Sequence, residues 1–237
     1  MVGSFIYKST HFDILNQNNN VKFVIKKKDN FSDMVERYIH DATNKSNVLN
    51  SCISLETFIK NYKKKTGDDN LSYDIVNNFM HDLSRQHDLF VDKDITIYCL
   101  SIHDFYVINN SMLLFVNFNH TTNVLFNDMI KIQQFHPSNG KSFLELGKKD
   151  IHIAPELLLT NNIFDDSKKN NRVHSKSKVH INKNACNFSF ASLLLSLLDE
   201  KSKDKTKALN IYYGTPLYFA LNRCIDKKPE FRTFVII

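Results

Sequence analysis

Apolar positions alternate with polar ones through residues 4 to 28 well enough for two strands. Phe12 to Leu15 and Val21 to Ile25 flank Asn16-Gln17-Asn18-Asn19-Asn20, a hairpin turn by composition. The period then lengthens. Ser32 to His40 reads as a short helix with Ser32 or Asp33 near its N-cap, and residues 43 to 51 read as a polar loop. Ser54-Leu55-Glu56-Thr57-Phe58-Ile59 opens a second helix. Leu71 to Leu83 forms a longer one, with Ile75, Phe79 and Leu83 spaced four apart on one face. Strand-like runs follow at Ile95 to Tyr98, Phe105 to Ile108 and Met112 to Val116. The last two flank Asn109-Asn110-Ser111, and asparagine tolerates the left-handed backbone of a tight hairpin. Residues 117 to 150 read as irregular, Pro155 starts a short helix or turn, and residues 160 to 184 read as an exposed polar insertion. Phe188 to Leu198 is apolar almost all round, which marks a buried helix. Lys201 to Lys207 reads as solvated. Pro216 to Ile225 is a closing helix with Leu217, Leu221 and Cys224 on one stripe.

Composition narrows this mixed α+β pattern. With 42% hydrophobic residues, nineteen of them Phe, 237 residues can build a substantial core. Only five Gly and four Pro argue against a turn-rich sandwich or a glycine-rich phosphate loop. The net charge of +6 comes in short lysine clusters, read as solvated loops and helix ends rather than as a specific nucleic-acid surface. Cys52, Cys99, Cys186 and Cys224 form no C-x-x-C pair and sit among apolar neighbours. They imply reduced core thiols, a reducing intracellular compartment and no zinc. His174 and His180 have no ligand set around them. No apolar run reaches membrane-spanning length, and no signal-peptide pattern stands at the N-terminus.

Several motifs carry a family resemblance. Ala154-Pro155-Glu156 matches A-P-E, and Arg223-Cys224-Ile225 followed by Pro229 and Arg232 matches an R-C-L…P-x-x-R ending. Ser54 to Ile59 matches S-L-x-x-F-I. Asp104 to Asn119 lies without a gap on the segment from the metal-binding Asn of a catalytic loop to the Gly of D-F-G. Cys186 to Ala191 lies where D-x-W-S-x-G belongs. From about residue 20 onward the chain therefore resembles a protein kinase, in particular the short kinase-like proteins of large DNA viruses. The resemblance implies a kinase-like fold with a reduced β-rich lobe over residues 1–51 and a mainly helical lobe over 52–237, the latter carrying the 160–184 insertion. It also implies a buried ion pair between Glu156 and Arg232.

Phosphoryl transfer needs a catalytic Asp, hard oxygen ligands for Mg²⁺ and a lysine on the nucleotide phosphates. In this register Cys99 replaces the catalytic Asp, Asp104 replaces the metal-binding Asn, and Asn117 replaces the Asp of D-F-G. Cys186 replaces the Asp that braces the loop. Phe23-Val24-Ile25-Lys26 resembles V-A-I-K, with Glu36 as the partner of Lys26, but no glycine loop accompanies it. The expectation is a degenerate kinase-like domain without cofactor that binds a protein partner or mimics a host kinase surface. A structural virion protein on the same fold is a further reading. An alternative register aligns Gln86-His87-Asp88-Leu89 with H-R-D-L and Asp104-Phe105-Tyr106 with D-F-G. Asp88 would then be the base, Asp104 the metal ligand, and the protein an ATP- and Mg²⁺-dependent Ser/Thr kinase.

Overall fold

The computed structural model describes residues 4–17, 20–43, 49–125, 129–133, 151–157, 178–199 and 205–234. It is mixed α and β, with small sheets. The chain divides into two compact units. One comprises residues 1–93 and 103–118, the other residues 94–102 and 119–237.

The first unit opens with an antiparallel sheet of β1 (Ser4–Lys8), β2 (Phe12–Gln17) and β3 (Asn20–Ile25). Sequence alone expects two strands here. The third, β1, is set by its pairing along β2, with a bulge between Phe5 and Tyr7. Residues 18 and 19 of the expected turn lie outside the described residues. Helix α1 (Asn30–Ala42) starts earlier than its pattern suggests. Its N-cap is Asp29, whose carboxylate accepts the Ser32 N–H at 3.0 Å while the Ser32 hydroxyl accepts the Asp29 N–H. Ser32 is thus the third helical residue of a capping box, not the cap. Strand β4 (Cys52–Ser54) leads into α2 (Leu55–Thr66), capped by Ser54 and ended by Gly67 at φ 81°. Glycine, with no Cβ, adopts that left-handed backbone at no steric cost. Helix α3 (Tyr73–Val91) is longer than expected and buries Val76, Phe79, Met80 and Leu83, with Ile75 only partly covered.

After β5 (Ile95–Ile97) and β6 (Cys99–Ser101), which belong to the second unit, the chain returns to the first. There β7 (Phe105–Ile108) and β8 (Met112–Phe115) form the expected hairpin, and β4 pairs with β7. Asn109 and Asn110 take φ 51° and 57°, the mirror-image turn that matches strand twist. The core of this unit is aromatic. Phe31 lies 6.1 Å from Phe12, 5.9 Å from Phe90 and 6.4 Å from Phe115 between ring centres.

In the second unit β5 pairs with β9 (Thr121–Asn123), β6 with β11 (Ile151–Ile153), and β10 (Met129–Gln133) with β12 (Lys178–Asn182). Two of these strands fall in the stretch expected to be irregular, and β12 falls at the end of the expected exposed insertion. Strand β9 is polar and takes its order from β5, whereas β10 and β12 alternate apolar and polar residues over only five positions each and pair with each other across a long stretch of chain. Residues 134–150 and 160–177 lie outside the described residues. Helix α4 (Ala185–Leu198) is buried on every side, as its uniform apolarity requires. It packs against β6, β11, α5 (Lys205–Asn210) and α6 (Pro216–Cys224). Helix α5 occupies part of the lysine segment read as solvated, because Ala208 and Leu209 supply a buried anchor. No helix among the described residues is long and apolar enough to cross a membrane.

Candidate functional site

The β7–β8 hairpin presents the two residues that the kinase-like register places at the metal. Asp104 ends a single 3-10 turn just before β7, and Asn117 follows β8. The Val116 N–H donates to the Asp104 carbonyl at 2.9 Å, which holds the two strand ends together. The Asn117 side-chain amide then donates to the Asp104 carboxylate at 2.6 Å. The pair consists of one carboxylate already accepting an N–H and one neutral amide oxygen. That is a poor donor set for a hard dication beside a triphosphate. Among the described residues no group of three or more His, Cys, Asp or Glu could hold a metal ion.

The flanks of this segment are filled by aromatic side chains of the first unit. The Tyr7 hydroxyl of β1 donates to the Val116 carbonyl at 2.8 Å, and the Tyr106 hydroxyl of β7 donates back to the Ile6 carbonyl at 3.3 Å. The two rings meet edge to face at 5.4 Å. Burial first, then Tyr106, pushes the Tyr7 hydroxyl up to about 12. Phe118 packs on His11 at 4.3 Å and on Phe31 at 5.2 Å. His11 Nδ1 in turn meets the Asp29 carboxylate at 2.7 Å.

Lys26 reaches the Asp13 carboxylate at 3.1 Å and the Ser9 carbonyl at 2.6 Å. Its suggested partner Glu36 is on the exposed face of α1. The V-A-I-K-like lysine is thus engaged within the strands, because β2 puts a carboxylate beside it. Lys26, Asp104 and Asn117 together do not fit Mg²⁺ and ATP. The alternative register meets a different obstacle. Asp88 lies inside α3, its carbonyl accepting the Asp92 N–H at 3.0 Å, where a catalytic base would need a loop. Burial, then the like charge of Asp92, raises the Asp88 carboxyl above its ordinary value. It faces a cleft of about 500 Å³ lined also by Arg37, Tyr38, Asp41, Arg85, Leu89 and Asp92.

In the second unit Cys99 of β6 pairs with Ile153 of β11 and is fully buried in an apolar cluster with Tyr98, Ile130 and Ala154. A thiol there is no substitute for an aspartate base. Cys186, at the position of the bracing Asp, is also buried, and desolvation pushes its thiol up to about 11. Glu156 and Arg232 meet in a two-pronged ion pair. Arg232 Nη1 donates to Oε1 at 2.6 Å and Nη2 donates to Oε2 at 3.1 Å. Arg232 is 1% exposed and is the largest fully buried side chain described. Its Nε donates to the Asp226 carbonyl at 2.7 Å, its guanidinium lies 5.0 Å from the Phe188 ring centre, and Asn187 donates to its own carbonyl at 3.2 Å. Each donor nitrogen is used, which is the condition for burying an arginine.

Sequence reasoning missed one polar feature of the first unit. Asp82 and Gln86 of α3 bond the outer edge of β8. The Leu113 N–H donates to Asp82 at 2.7 Å, the Phe115 N–H donates to Gln86 at 2.8 Å, and the Gln86 amide donates to the Leu113 carbonyl at 2.9 Å. Two side chains four apart thus stand in for a missing neighbouring strand. The available signal was the polar pair at 82 and 86 beside the apolar stripe of Phe79, Leu83 and Phe90. No protein-family model matches this chain, and no curated protein sequence matches it.

Proposed function

We propose that the chain is a catalytically degenerate protein-kinase-like domain that works by binding a protein partner. The observation that carries this reading is a contrast between two sets of positions in one register. Those that would hold a kinase fold together, Glu156 and Arg232, make a two-pronged ion pair in which the arginine is buried and the glutamate half-buried. Those that would transfer phosphate are a buried thiol at Cys99, an aspartate–asparagine hydrogen bond at Asp104 and Asn117, and a lysine engaged by Asp13. The element order supports it too: a small sheet and a helix, two helices, a hairpin, a buried helix and a closing helix. The likeness to short viral kinase-like proteins makes a host protein, met inside the cell, the expected partner. Four buried free thiols suit a reducing compartment.

The test is a thermal-shift titration of the purified chain with ATP, with and without Mg²⁺. No shift at millimolar ATP is expected. A saturable stabilisation that requires Mg²⁺ and disappears in Asp104→Asn would move the protein to the kinase class. Stabilisation by a ligand follows mass action, so binding tight enough to matter would be visible.

A further inference from the structure

We draw no further inference here: the strongest candidate, the cleft between α1 and α3 lined by Arg37, Asp41, Arg85, Asp88 and Asp92 in the first unit, is a set of exposed charges of both signs, and nothing in the structure shows what covers it.

Discussion

Two buried charged residues show how one residue type can be cheap or costly according to its partners. Arg232 has a carboxylate across both terminal nitrogens and a carbonyl on Nε. Removing the charge from Glu156 leaves a buried cation uncompensated, a change that costs about 3–5 kcal/mol. Glu156→Gln is therefore expected to destabilise the second unit by about 3 kcal/mol in urea unfolding. A loss below about 1 kcal/mol, the size of an exposed pair, would mean that other groups balance Arg232. Asp82 is the opposite case. Burial raises its carboxyl from 3.8 to about 6, and the hydrogen bonds from Leu113 and Tyr38 only partly offset this. The folded state therefore holds the proton more tightly than the unfolded chain. Its contribution to stability is full below about pH 4 and is lost as the pH rises through about 6. Over that window Asp82→Asn should gain about 2–3 kcal/mol relative to wild type, in proportion to the pKa shift. Parallel pH profiles of unfolding free energy for the two proteins would refute this.

At the scale of elements, the entry into α1 depends on more than propensity. Asp29 caps the helix through Ser32 and also meets His11 Nδ1 at 2.7 Å and Lys27 at 3.5 Å. Burial alone would raise the Asp29 carboxyl, but the Ser32 N–H and the charge of His11 lower it below its ordinary value. Its stabilisation is present above the ordinary carboxylate range and is lost as the pH falls through the lowered value. Asp29→Ala should cost about 1–2 kcal/mol, the usual worth of such a cap. Asp29→Asn should recover part of that, because an amide oxygen still accepts from Ser32. Equal losses in the two variants, read from thermal unfolding, would place the effect in the ion pair and not in the cap.

For the whole molecule, the accessible test is thiol chemistry. Cys52, Cys99, Cys186 and Cys224 are all free and buried, in two separate units. Desolvation raises the thiols of Cys52, Cys186 and Cys224, so little reactive thiolate is present at neutral pH. The native protein is expected to react slowly with a thiol-specific reagent and to release all four equivalents once denatured. A cysteine that reacts at the rate of a small free thiol would reveal local opening of its unit.

What the sequence determined by itself is what short-range physics controls. Uniform apolarity placed α4 in the interior, Asn109-Asn110 set the hairpin turn, and Ser54 capped α2. Tertiary structure decided the rest, because it depended on groups far apart in the chain. Strand β12 exists by pairing with β10 about fifty residues earlier. Lys26 became a partner of Asp13 and not of Glu36 because β2 lies beside β3. Asp88 stayed helical because α3 continues to Val91. Asp82 and Gln86 met β8 across a sequence gap that no periodicity spans. Local pattern reports which face of an element is apolar, whereas the partner of a polar side chain is chosen only when the elements pack.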